Sequence, residues 1–296
     1  MRLCDADCVG IPLLELVAGG IPTAEGSNAA PSGLAQISAF VRHPSISNVA
    51  KFIYGGDLLG NLWRFDLNTN TVLKFTTLIS DAAGLQSITV APTLGVIDNK
   101  RVIFVGTGKY IEPNDLLPGT FMQQTLYGIK DNNVTATITG LRATLVEQTL
   151  ALAGATRTIS SNAVDWGSKN GWFVDLINSA TTGERQNVKA ILVSGVLIVP
   201  TMMPPTSECS ATAGWLNVFN YRTGSAVDPS VSTEVSTQTM APIAGMNIVY
   251  DYAATDGGLS VNGQLTNATD YNSHPPTSTN AGFSSNRSIW RELIAP

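Results

Sequence analysis

The feature that most constrains this chain is a recurring pair of short apolar runs, each closed by glycine, asparagine or aspartate. Lys51-Phe52-Ile53-Tyr54 leads through Gly55-Gly56 into a tight turn, and Leu62-Trp63-Arg64-Phe65 emerges from it. Thr71-Val72-Leu73-Lys74-Phe75 follows after Asn68-Thr69-Asn70. In an extended chain Leu62 and Arg64 point one way and Trp63 and Phe65 the other. The unit is an antiparallel meander. It returns in residues 101–108 with 125–129, and in residues 195–200 with 215–219, where Arg222-Thr223-Gly224 closes the turn.

The expected fold is therefore all-β, a β-propeller of about four blades. Each blade is an antiparallel four-stranded sheet, and long loop insertions interrupt the repeat. The insertions are residues 112–124, 141–170, 201–214 and 255–287. Residues 142–153 read equally as a short helix or a strand. Residues 255–287, rich in Asn, Ser, Thr, Gly and Pro, read as a long loop, and residues 288–294 as a final strand. Four blades sit at the low end of ring closure, so a fragment of a larger ring is expected.

Composition narrows the function. Only 13% of residues are charged, net charge is −5, and the 17 Lys and Arg are scattered, so no basic track for nucleic acid exists. No apolar stretch reaches the roughly 18 residues that span a bilayer. Cys4, Asp5, Asp7 and Cys8 stand where a signal peptide needs an apolar run, so any export signal is expected to lie outside this chain. Cys4, Cys8 and Cys209 form an odd set whose pairing the sequence leaves open, and no second Cys or His pair completes a zinc site.

The densest motif is residues 54–67. Asp57 is expected to accept backbone amides two residues on, Gly60 to take a positive φ, and Asp66 to close the next turn. Gly56, Asn61 and Trp63 complete this structural motif, with Trp63 and Phe65 expected to pack between neighbouring sheets. A metal reading through Asp57, Asn61 and Asp66 competes with the turn reading, and the turn explains the residues. His43 and His274 lie beside prolines with no nucleophile setting, so no catalytic residue is assigned. Gly106-Thr107-Gly108-Lys109 lacks the helix that a phosphate loop needs. Tyr110 and Trp166 are candidate receptor contacts, or else core.

Five ordered strings resemble the PilY/PilC-type family of type IV pilus tip proteins. They are residues 54–67, Phe104-Val105-Gly106-Thr107-Gly108-Lys109-Tyr110, residues 125–131, Gly171-Trp172-Phe173-Val174-Asp175-Leu176 with Gly183-Glu184-Arg185, and Trp290-Arg291-Glu292-Leu293. The resemblance covers residues 31–296; residues 1–30 match the family poorly. It implies an exported, non-enzymatic pilus assembly factor and adhesin at the cell surface, pilus tip or outer membrane. Such a protein would promote extension against retraction, with pilins or minor pilins and a surface or host-cell ligand as partners. Many relatives carry an acidic calcium loop ahead of the residue 57–61 turn. Here residues 41–50, from Val41 to Ala50, hold no Asp or Glu, so calcium is not carried over and no cofactor is expected. The competing readings are a quinoprotein-dehydrogenase-like propeller, disfavoured because no vicinal cysteines exist, and a generic protein-binding scaffold.

Overall fold

A computed structural model describes residues 25–27, 30–41, 47–81, 84–205, 213–239, 241–250, 259–265 and 270–273. Cys4, Cys8, Cys209, His43, His274 and the closing strand at 288–294 lie outside them.

Four sheets follow one another along the chain. The first is a meander of β1 (Leu34–Phe40), β2 (Phe52–Asp57), β3 (Asn61–Asp66) and β4 (Thr71–Thr77). The second orders β5 (Thr93–Ile97), β6 (Lys100–Gly106), β7 (Thr125–Asp131) and β11 (Gly171–Asp175), with β8 (Val146–Gln148) added in parallel beyond β11. The third runs β12 (Ile191–Val193), β13 (Val196–Met203), β14 (Ala213–Asn220) and β15 (Glu234–Thr239), extended by β10 (Thr156–Ile159) and β9 (Leu150–Ala153). The fourth contains β16 (Ile243–Tyr250), β17 (Leu259–Leu265) and β18 (Asp270–Ser273).

The uninterrupted apolar runs arise because the second and third sheets are covered on both faces. Along β6, Ile103 and Val105 pack with Tyr54, Leu62 and Phe75 of the first sheet, while Val102 and Phe104 pack with Leu197, Val199 and Phe219 of the third. Along β13, Val196 and Ile198 turn instead to Ile243 and Leu265 of the fourth sheet. Period-two alternation thus fills a different core on each side. The first strand of every sheet faces a common cavity of about 680 Å³, lined in part by Ala39, Leu94, Leu192 and Met246. Successive sheets around a shared axis are the arrangement expected of a propeller.

Several local expectations change. Gly55 and Gly56 lie within β2, not in its turn. A Cβ on Gly56 would stand 2.2 Å from Ile88, so the glycine admits a close neighbour. Trp63 and Phe65 cluster with Ile53 on the face of the first sheet opposite the second, and Leu62 and Tyr54 occupy the inter-sheet core. The 141–170 insertion is built into the sheets: a 3₁₀ turn at Leu141–Thr144, then β8, β9 and β10. Much of 255–287 that is described is also strand, β17 and β18, because their backbones pair with β16 and with each other.

Candidate functional site

The 57–66 motif builds one end of the first sheet. Asp57 Oδ1 accepts the Leu59 amide at 3.0 Å and the Asn61 amide at 2.8 Å. Its Oδ2 accepts Asn61 Nδ2 and Trp63 Nε1, each at 2.9 Å. Gly60 has φ 79°, and a side chain there would meet the Gln86 carbonyl oxygen at 2.8 Å. Asp66 accepts the Asn68 amide at 2.9 Å and closes the opposite turn. Both Asp57 oxygens are thus occupied by N–H donors, and Asn61 Oδ1 accepts the Thr77 hydroxyl at 2.7 Å. A cation at Asp57 would have to displace these bonds, so the motif does not fit a metal. Among the described residues no group of three or more His, Cys, Asp or Glu is placed to hold one.

Replacing Asp57 with alanine strands Trp63 Nε1 and Asn61 Nδ2, two buried donors. The expected cost is about 1–3 kcal/mol, the range for orphaned buried polar groups, read as a lower midpoint in chemical denaturation.

From this turn a relay of hydrogen bonds crosses to the other sheets. The Leu78 and Ile88 amides donate to Gly60 and Asp57 carbonyls at 2.8 and 2.9 Å, and the Gly108 amide donates to the Ser87 carbonyl at 2.8 Å. The Gln186 amide then donates to Thr107, and Arg185 exchanges two backbone bonds with Met202 of β13. On this fixed base stands the excursion between β6 and β7. A 3₁₀ turn at Pro113–Leu116 is held by Asp115, whose Oδ2 accepts the Ile111 and Glu112 amides at 2.8 and 3.0 Å. Burial pushes the Asp115 carboxyl up, but those two amides and the Lys109 ammonium outweigh it and hold it below the usual carboxylate range. Arg185 secures the base of the loop. Its Nε donates to the Gly183 carbonyl at 2.7 Å, a second nitrogen donates to the Lys109 carbonyl, and the guanidinium lies over the Phe121 ring at 5.2 Å.

The ordered excursion presents apolar side chains to solvent: Tyr110 is 42% exposed, Ile111 66%, Leu117 51% and Met122 42%. Met122 reaches over Gly84, beside the exposed Leu85. Gly183 touches both Phe121 and Pro204, so the 201–214 excursion leaves β13 from the same end. Of the two aromatic candidates Tyr110 belongs to this rim. Trp166 does not: it is buried and donates from Nε1 to the Arg222 carbonyl at 2.9 Å.

Two buried polar nodes were not anticipated. Between the first and second sheets, Asp131 accepts the Tyr54 hydroxyl at 2.6 Å, Arg64 at 2.9 Å and Arg101 at 3.0 Å. Against the third sheet, Glu184 of the β11–β12 connection receives both terminal nitrogens of Arg157, at 2.9 and 2.6 Å, and the Thr201 hydroxyl at 2.6 Å. Both are internal, and both carboxylates are paired by the protein, while Arg64 Nε and Arg157 Nε find no acceptor. Alternation in Thr-Arg-Thr-Ile at β10 was the available signal for Arg157, since it sets the arginine on the face of Ile159.

Sheets that succeed one another around one cavity, with ordered loops raised at one end, define a propeller that displays loops on a rigid scaffold. The family model of the PilY1 beta-propeller domain matches residues 73–163. The type IV pilus biogenesis factor PilY1 of Pseudomonas aeruginosa is 28% identical over 270 residues, covering 74% of this chain and 23% of that protein. A PilY1 from another strain of that species is 31% identical over 235 residues, covering 60% of this chain and 20% of its own length. A PilY1 homolog of Xylella fastidiosa is 26% identical over 322 aligned positions, covering 99% of this chain and 24% of the relative. The crystal structure of the Pseudomonas aeruginosa PilY1 C-terminal domain superposes with a TM-score of 0.66 at 23% identity, covering 80% of this chain and 60% of that one. The chain spans roughly a quarter of the length of the Pseudomonas aeruginosa and Xylella fastidiosa relatives it matches. The resemblance read from the motifs holds: the chain is similar to the PilY1 β-propeller domain in sequence over residues 73–163 and to the PilY1 C-terminal domain in fold. Among the described residues no helix is long and apolar enough to cross a membrane.

Proposed function

We propose that this chain is a non-enzymatic binding module of a type IV pilus system, exported to the cell surface or pilus tip. It would engage pilins or minor pilins, favour extension over retraction, and contact a host-cell or abiotic surface. The observation that carries the reading is the rim between β6 and β7. Four large apolar side chains stand in solvent there on a loop whose base is fastened to three sheets. Rigid loops with exposed aromatic and aliphatic anchors suit protein recognition, because little ordering entropy is lost on contact. The names of the PilY1 relatives as pilus biogenesis factors point the same way. The propeller is proposed to work without calcium, since the Asp57 carboxylate is already saturated and residues 41–50 hold no acid.

The test is a strain lacking the gene, complemented with the intact gene or with Ile111→Ser/Leu117→Ser. Both side chains are exposed, so the variant is expected to keep the parent's unfolding midpoint. Loss of two apolar anchors at more than about 1 kcal/mol each predicts at least a tenfold fall in adhesion or piliation. Parental adhesion and piliation by the variant would reject the rim as the contact surface.

A further inference from the structure

The outer edge of the third sheet, separate from the rim, is an uncovered strand. Strand β9 ends that sheet, beyond β10. Gly154 and Ala155 join the two in a two-residue hairpin closed by Ala153 opposite Thr156, and Gly154 has the positive φ of 69° that such turns require. At the other end the Ser160 amide donates to the Thr149 carbonyl at 3.0 Å. Hydrogen-bonded pairs alternate along an antiparallel ladder. The paired positions are therefore 149 with 160, 151 with 158, and 153 with 156. By that alternation the N–H and C=O groups of Leu150 and Leu152 point away from β10, off the edge of the sheet.

Edge strands are ordinarily blunted by charge, proline, bulges or cover. The outer strand β4 shows such cover: the Ile138 amide donates to the Phe75 carbonyl, and Lys74 lies on the same strand, paired with Glu25. Strand β9 reads Leu-Ala-Leu-Ala, with no charge, no proline and an unbroken register to β10. Ala151 and Ala153 are exposed, and Leu152 is 58% exposed on the face whose Leu150 enters the core.

We propose that β9 pairs with β9 of a second copy of this chain, antiparallel, about a two-fold axis passing at Ala151. The outward groups dictate this register. Leu150 faces Leu152 of the partner copy and exchanges both main-chain bonds with it, and the two-fold repeats the pair, giving four bonds. Each Leu152 then lies beside the other copy's Leu150 and leaves solvent. Strand β9 itself carries no carboxylate, so none is set face to face along the paired strands. Because each copy carries net charge −5, the pairing strengthens as salt screens their repulsion.

The test is sedimentation velocity of the full chain from micromolar to sub-millimolar concentration, where a concentration-dependent dimer is expected. Leu152→Pro removes an N–H that the fold does not use, a position edge strands tolerate. It is expected to remain folded by circular dichroism and to sediment as a monomer throughout. A second variant pair fixes the register independently. In a background with Cys4, Cys8 and Cys209 replaced by serine, Ala151→Cys places two sulfurs at a non-hydrogen-bonded pair, with Cα atoms about 4.5 Å apart, inside disulfide reach. Ala153→Cys places its mates about 13 Å apart. Mild copper–phenanthroline oxidation is expected to link the first into a covalent dimer and leave the second unlinked. A parent that stays monomeric at every concentration, or equal linking of both cysteine variants, would overturn the proposal.

Discussion

Replacing Asp131 with alanine is expected to destabilise the propeller by about 3–5 kcal/mol, the range for removing one partner of a buried ion pair. Asp131 lies on β7 with its carboxylate out of solvent, and it receives Tyr54 and Arg64 from the first sheet and Arg101 from the second. Arg101 also stacks over the Phe52 ring at 3.7 Å. Without the carboxylate, two guanidinium groups are left between sheets with no counter-charge, and the Tyr54 hydroxyl loses its acceptor. Asp131→Asn keeps the shape and some hydrogen bonds, so it should cost less. Urea titration checks both, with a lower midpoint and unchanged slope.

The same node sets an acid limit. Burial pushes the Asp131 carboxyl up, but the Tyr54 hydroxyl and the Arg101 and Arg64 guanidiniums outweigh it and hold the group below its ordinary value. Since the folded pKa is lower than the unfolded value of about 3.9, the stabilisation is complete above that value and is lost as pH falls through the folded one. The parent should therefore lose stability steeply below about pH 4, and the acid slope should be shallower in Asp131→Asn. Tyr54 acts at the other extreme. Burial and the adjacent carboxylate raise its pKa, so its contribution fades only as pH climbs past the ordinary tyrosine range.

Glu184→Ala is expected to cost a similar amount, about 3–5 kcal/mol, by a different route. Arg157 belongs to the β9–β10 hairpin, a segment that leaves the second sheet and joins the third. Its guanidinium is bidentate on Glu184 and stacks over Trp215 at 3.8 Å. Glu184 lies between β11 and β12, so the pair fastens the hairpin where two sheets meet. With the carboxylate gone, Arg157 is buried with no anion while its Nε already lacks a partner. Local release of the hairpin should appear as faster amide exchange at Arg157 and Ile159, which distinguishes this variant from Asp131→Ala.

The strands that were legible in the sequence are those with both faces buried. Continuous apolar runs at β6 and β13, the aromatic returns at β7 and β14, and the Asp57 turn each follow from local chemistry, and together they gave the propeller. The rim at 112–124 was legible for the same reason, because its Gly and Pro content breaks the strand pattern. What could not be read is set by distance. The strands β8, β9 and β10 are three or four residues long, and their partners lie up to about eighty positions away in β11 and β15. Nothing local in Leu-Ala-Leu-Ala distinguishes an edge strand from a helix turn. Asp131 reads as a turn residue in Asp-Asn-Asn, and only the packing of two sheets reveals Arg64 and Arg101 converging on it. Alternation also separated Leu62 from Trp63 correctly, but could not tell which face the next sheet would cover.

The most direct measurement is surface piliation and twitching motility in a strain from which the gene encoding this chain has been deleted, with the intact gene restored in parallel. Sparse pili and poor motility are expected on deletion, and recovery of both on complementation. Unchanged piliation and motility in the deletion strain would contradict a pilus role for this chain.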